Sequence, residues 1–346
     1  PSLADARPKR SAAAMTLALV ALMLAAVPAG VGGQLTEDVR VAEFERRHKS
    51  WPPKYVPDTP GWRSLMQRRE TQILKMTDNQ WRWDGWTTLV ASSHLVHNFT
   101  EKGYAVVRAP DDVNAALQKN LVDHLLDARG EDTPHNQIDV IKGKLRPKFI
   151  DQTRLNRQIL LQLQPMFEEW SGVKLVPAIA YGLRVYQNGS SLLMHVDKIE
   201  DHVVSAILHV GHEYDDEEEP WPLVIESFDG TTQEVSLEPG EMLFYESAKC
   251  MHGRPRTFKG KYYASVFIHY VPAEWHLGIV DAQYAVPPHW ADRDKKAAQS
   301  NVEDLHITGT GFSEPSCADG WCALEQPMPK HRRGAAGGSG GGGSGG

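Results

Sequence analysis

The chain has 346 residues, a formal net charge of −7 and 41% hydrophobic side chains. That apolar fraction is enough to bury a core, which excludes a disordered, solvating chain. The acidic balance, without a basic stripe, argues against a nucleic-acid partner, and three cysteines in this length exclude a disulfide scaffold.

In chain order, Arg7, Lys9 and Arg10 precede a largely apolar run over residues 15–27, and Pro28, Ala29 and Gly30 follow it. Basic residues, a short apolar stretch and small residues are the pattern of a secretory signal, with cleavage expected after Ala29. The run is short for a membrane span, but stretched to Val31 it also reads as a signal anchor. Residues 1–33 are therefore read as signal peptide or anchor, with residues 1–14 upstream of a start at Met15. The expected compartment is the endoplasmic reticulum lumen or the exterior, with membrane attachment only if the segment stays uncleaved. Residues 34–94 are an arm rich in Trp and Arg, including Trp51, Trp62, Trp81, Trp83 and Trp86, expected to be irregular and to cover a core.

The principal domain is expected over residues 95–275. Residues 103–107 read as a strand. A helix is expected over residues 111–128, with aspartates at its start, and a second over residues 153–170. The second carries Leu155, Ile159, Leu160, Leu163 and Met166 at helical spacing, hence one apolar face. The text then changes period. An alternating run from Arg184 ends at the turn Asn188-Gly189, and short apolar segments follow at 203–208, 223–225 and 242–245. Residues 262–270 are the longest strand candidate. Many short strands at close spacing predict a sandwich or jelly-roll, mainly β with flanking helices. Residues 276–333 read as a polar extension, and residues 334–346 as a flexible tail of Gly, Ser and a few Ala. Cys317 and Cys322 are spaced to close a small loop in an oxidising lumen.

The most informative spacing is His195, Asp197, then His252 and Lys261. A redox metal that activates oxygen needs two imidazoles and a carboxylate on one face and open positions on the other. His195 and Asp197 stand at i and i+2, so one strand can present both on the same side. A lone His-x-Asp has a bland reading as a solvated pair, but Leu192-Leu193-Met194 just before it argues against a wet loop. A buried, unpaired Asp would cost several kcal/mol, a cost that metal coordination removes. His252 alone reads as an ordinary core or surface histidine. Lys261 alone reads as a solvated strand residue, with Arg254 and Arg256 as rival anion binders.

Taken together, residues 180–272 resemble the catalytic core of the iron- and 2-oxoglutarate-dependent dioxygenases, the prolyl 4-hydroxylase-like branch above all. The quoted matches are Tyr186 nine residues before His195, Gly189 in the turn, and the run Leu237–Tyr245 leading to His252. The resemblance implies a double-stranded β-helix (jelly-roll) core holding Fe(II) by His195, Asp197 and His252. It implies 2-oxoglutarate and O2 as co-substrates and ascorbate as reductant. Lys261 would pair with the far carboxylate of 2-oxoglutarate, Tyr186 would line its pocket, and His209 would take a pocket position where the branch often has tyrosine. A carboxylate at Asp197 implies hydroxylation. Leu192 and the segment Pro220-Trp221-Pro222 depart from the branch and weaken the case for a collagen-like substrate. A peptide or protein substrate is expected. The alternatives are a small-molecule hydroxylase on the same core and a jelly-roll binding module without catalysis. Oligomeric state is not legible in the sequence.

Overall fold

The computed structural model describes residues 57–74, 85–131, 140–217 and 219–278, a few positions between 42 and 49, and Asp281. The expectations for residues 1–33, for Trp51, Trp81 and Trp83, for Cys317 and Cys322, and for the tail lie outside the described residues.

Two antiparallel sheets face each other. Strands β1 to β12 are Tyr104–Arg108, Arg129–Gly130, Ile141–Lys142, Lys148–Phe149, Leu175–Tyr186, Ser191–His195, Val204–Tyr214, Leu223–Glu226, Thr232–Val235, Glu241–Tyr245, His252–Arg254 and Gly260–Pro272. The larger sheet has seven strands in the order β1-β10-β7-β12-β5-β4-β2, and the smaller has five, β3-β6-β11-β8-β9. This is the double-stranded β-helix expected from the strand pattern and the resemblance.

Alternation along the strands builds the core on both faces of the larger sheet. On β12, Ala264, Val266, Ile268 and Tyr270 join the cluster beneath the helices, while Tyr263 and Phe267 join the one between the sheets. On β7, Ala206 and Leu208 take the outer side and Ile207 the inner. Both faces are buried, so the strands read as near-continuous apolar runs instead of a clean polar alternation.

The outer face is covered by helix α3, Thr153–Ser171. Its apolar spacing was legible, and Ile159, Leu160, Leu163 and Phe167 are buried. Phe167 stacks on Phe244 at 4.0 Å and meets Tyr270 at a tilt, 4.5 Å between ring centroids. The helix ends where Gly172 adopts φ 72°, the left-handed cap that glycine takes without a Cβ penalty. Helix α2 runs Asp111–His124, shorter than the 111–128 expected, and Asp111 and Asp112 sit in its first turn, where the helix dipole favours them.

The described part of the arm is ordered helix, in place of the irregular covering expected. Helix α1 spans Pro60–Leu74. Thr59 caps it, its Oγ1 accepting from the Trp62 N–H at 3.1 Å, with Pro60 in the first turn, where its missing N–H costs nothing. Trp62 is fully buried and meets Phe228 edge-on at 5.1 Å. A π-helical turn, Thr87–Ala91, runs into a short helix, Ser92–Leu95. Arg69 of α1 is wholly buried and pairs with Glu226 of β8 at 2.7 Å. It also donates to the Leu89 carbonyl at 2.9 Å and the Lys249 carbonyl at 3.3 Å. The arm thus grips the loop that leads into β11.

Candidate metal centre

His195 is the last residue of β6 and His252 the first of β11. The two are directly paired across the smaller sheet, so a long-range register places together two imidazoles far apart in sequence. Asp197 lies just past β6, and its N–H donates to the Ser247 carbonyl at 2.9 Å. This differs from the expectation of one strand carrying both ligands: β6 ends at His195, and the Ser247 contact holds Asp197 in place instead.

The three side chains converge, with candidate ligand atoms within 4.8 Å of one another. Asp197 Oδ1 stands 3.7 Å from His195 Nε2 and 3.9 Å from His252 Nε2. Each histidine is oriented from behind. His195 Nδ1 donates to the Leu193 carbonyl at 2.8 Å and His252 Nδ1 to the Cys250 carbonyl at 3.0 Å. Carbonyls only accept, so each Nδ1 carries a proton, and Nε2 is the nitrogen that each ring presents on the side of Asp197. The orienting bond to the non-ligating nitrogen is what metal-binding histidines use.

Electrostatics agree. Burial, then the neighbouring His195, pushes the His252 pKa down to about 4, which keeps the ring neutral and able to ligate. Burial acts to raise Asp197, but His252 and His195 outweigh it and its carboxyl stays below the usual value. Asp197 Oδ2 accepts from the Tyr245 hydroxyl at 3.4 Å, a long bond. A partly buried carboxylate so weakly satisfied, facing two imidazole nitrogens, suits a cation.

The triad opens onto a cavity of about 1150 Å³ between the sheets. Its inner wall includes Tyr181, Arg184, Tyr186, Tyr245, Phe267 and His269. Tyr181 stacks on Phe267 at 5.2 Å and on His269 at 5.5 Å, an aromatic shelf beside the metal ligands.

Tyr186 lines this cavity and is buried. Lys261 does not reach it. Its side chain is 73% exposed and its ammonium pairs with Glu213 outside the barrel. The cause is a one-residue bulge. Gly260 pairs with Tyr214 and Tyr262 with Glu213, so Lys261 is the extra residue on β12. A bulge sets two consecutive residues opposite one, which breaks the alternation that would have carried Lys261 inside. His209 also departs from its expected place. It is wholly buried, with Nδ1 bonded to the Ala264 carbonyl at 3.2 Å and Nε2 to His212 at 2.7 Å. It stacks on Tyr263 at 4.1 Å and is not among the residues lining the metal cavity.

The rival arginines separate clearly. Arg256 is about half exposed and pairs with Glu234 at 2.6 Å. Arg254 is buried, sandwiched by Trp221 and Tyr263, and donates to the Trp221 carbonyl and the Tyr263 hydroxyl. It is not among the residues lining the cavity. The cavity's least exposed cation is Arg184, which the sequence reading passed over, although it stands two residues before Tyr186 and so on the same strand face. His269 is a second cavity residue without a signal in the sequence pattern.

A scan against models of protein families finds no match, and a search of curated proteins finds none either. Solved structures do align. A Pseudomonas putida prolyl-4-hydroxylase aligns at 17% identity over 49% of this chain and 92% of its own, with a TM-score of 0.35. A Trichoplax adhaerens prolyl hydroxylase, in complex with a hypoxia inducible factor oxygen degradation domain peptide fragment, gives 10% identity, 59% and 91% coverage and a TM-score of 0.38. HygX from Streptomyces hygroscopicus, with nickel, 2-oxoglutarate and hygromycin B bound, gives 12%, 51%, 86% and 0.39.

Proposed function

We infer that this chain is an Fe(II)- and 2-oxoglutarate-dependent dioxygenase that hydroxylates a C–H bond and releases succinate and CO2, acting on a peptidyl proline or a similar protein side chain. The observation that carries this reading is the convergence of His195, Asp197 and His252 on one side of a deep cavity. Two neutral imidazoles and a carboxylate are the donor set that non-haem iron takes in oxygen chemistry. When bound, the iron would supply oxygen activation coupled to decarboxylation of the oxo acid. The chain's own part is positional. The Leu193 and Cys250 carbonyls aim the two Nε2 atoms, Tyr245 steadies the far oxygen of Asp197, and the stacked Tyr181 and Phe267 wall the cavity beside them. The cavity volume lies above the usual range of roughly 300–1000 Å³ for small-molecule pockets, which supports a substrate the size of a peptide segment.

Purified protein supplied with Fe(II), ascorbate and 2-oxoglutarate should form succinate, and more of it in the presence of a hydroxylatable peptide. Absence of succinate under these conditions would sink the reading. For location we propose the secretory pathway, on the strength of the basic-then-apolar start. Expression in a eukaryotic secretory host should give a product lacking the segment before Gly30, with Cys317 bonded to Cys322; an intact N-terminus on a cytosolic product would refute it.

A further inference from the structure

Two of the three candidate ligands are aimed by one short segment. Residues 246–251 join β10 to β11. The Ser247 carbonyl accepts from the Asp197 N–H at 2.9 Å, and the Cys250 carbonyl accepts from His252 Nδ1 at 3.0 Å. His195 takes its orientation elsewhere, from the Leu193 carbonyl on its own strand. Within the segment, the N–H groups of Lys249 and Cys250 both reach the Glu246 carbonyl, at 2.9 and 2.8 Å. That closes a single turn, and one hydrogen-bonded turn has little rigidity of its own.

The turn is held from behind. Lys249 is wholly buried. Its ammonium donates to the Val96 carbonyl at 2.7 Å, where the short helix Ser92–Leu95 ends. It stands 5.4 Å from the Phe228 ring and 5.8 Å from the ring of Trp62 on α1. The Lys249 carbonyl accepts from Arg69 of α1 at 3.3 Å. Glu246, also wholly buried, accepts from the N–H groups of Phe99 and Thr100 at 3.0 and 2.8 Å and from the Thr100 hydroxyl at 2.7 Å. These polar partners all come from residues 69–100, ahead of β1. The two ends of the turn are held differently. Ser247 is also fastened from the barrel side, its hydroxyl donating to the His202 carbonyl at 2.8 Å and bonding Ser205 at 2.6 Å. Beside Cys250, whose thiol lies 3.6 Å from the Gly103 carbonyl, the strong hold is the neighbouring Lys249. An ammonium taken out of water is costly to bury and needs partners in good geometry, so this one keeps the turn in one place.

Resting on the metal centre of the proposed dioxygenase, we propose that Lys249 is a positioning residue of that centre: it ties the turn to the chain ahead of β1 and so fixes the carbonyl that aims His252. Arg69 assists by holding the Lys249 carbonyl. The ordered N-terminal arm is then part of the support of the metal ligands as well as a cover for the core. His252 depends on this tie, Asp197 depends on it less, and His195 does not depend on it.

Full-length protein titrated with Co(II) tests this, with affinity from calorimetry and ligand geometry from proton NMR. Bound Co(II) shifts the Nδ1–H protons of His195 and His252 clear of the other signals, and both exchange with D2O. The slower-exchanging signal belongs to the buried His252, the faster to His195, whose side chain is 20% exposed. Lys249→Met keeps most of the side-chain volume, and Glu246 keeps its three donors. It should weaken Co(II) binding about 10–100-fold, as loss of an outer support of a ligand does. It should also shift the His252 signal and speed its exchange, leaving the His195 signal in place. Arg69→Met combined with Glu226→Gln, milder on the fold, should do the same to a smaller degree. Should Lys249→Met fail to fold, the double variant decides alone. Phe167→Ala loosens α3 on the outer face and should leave the affinity and both signals unchanged. An equal loss of affinity in Phe167→Ala overturns the proposal, because affinity would then follow general stability. So do equal shifts of both histidine signals in Lys249→Met, and so does an unchanged His252 signal in the variants that fold. Wild-type protein that takes up no cobalt would overturn the metal-centre reading itself, and the positioning role with it.

Discussion

The buried pair of Arg69 and Glu226 allows a quantitative test of how far the arm belongs to the catalytic unit. Both side chains have 0% exposure and their charges meet at 2.7 Å. Arg69→Met fills similar space and removes the cation, leaving Glu226 buried opposite a thioether. Breaking one side of such a pair costs about 3–5 kcal/mol, because the remaining charge has neither water nor partner. For a domain of this size about 2–4 °C of melting temperature follows each kcal/mol, so a drop of roughly 6–20 °C is expected. Urea unfolding followed by tryptophan fluorescence gives the free energy directly, since Trp62 sits 5.3 Å from the Arg69 guanidinium. Adding Glu226→Gln to Arg69→Met should recover much of the loss, because the stranded charge is gone. If Arg69→Met lies within about 0.5 kcal/mol of wild type, as a surface substitution would, the arm does not grip the barrel as described. If the double variant is no better than the single, desolvated charge is not the cause.

Three further outcomes are expected. His195→Ala should abolish iron-dependent succinate formation and visible-range cobalt binding while unfolding near the wild-type urea concentration, because the ring is partly exposed at the cavity and packs little of the core; retained turnover would reject its role as a ligand. In the metal-free protein the His252 pKa is lowered to about 4, so between that value and the usual 6.5 the unfolded chain binds the extra proton. Stability should therefore be fully present above about pH 6.5 and fall as pH drops toward 4, by up to about 1.4 kcal/mol per pH unit for this group, a slope that denaturation at stepped pH would measure and that His252→Gln should flatten. Phe167→Ala removes the ring packed against Phe244 and Tyr270 and should cost about 3–5 kcal/mol without changing metal affinity; a cost below about 1 kcal/mol would show that α3 is not held by this contact.

What the chain determined by itself is local. The helix Thr153–Ser171 was readable because its burial face repeats within the element, and β12 because its apolar residues are consecutive. His195 and Asp197 were readable because two residues separated by one neighbour need no knowledge of the rest of the fold. His252 needed a resemblance, since its place opposite His195 is a matter of register between β6 and β11. The tertiary structure alone decided which cation faces the cavity. Lys261 has the right spacing from His252, but one extra residue against Glu213 turns it to solvent, and a register slip of a single position leaves no mark in composition or period. Arg184 acquires its buried partner from Glu131, 53 residues away, and Arg69 acquires Glu226 at a separation of 157. Pairings at such distances cost nothing to write in a sequence and become visible only when the sheets close, because desolvation, which makes these charges matter, is a property of the packed molecule and not of the chain.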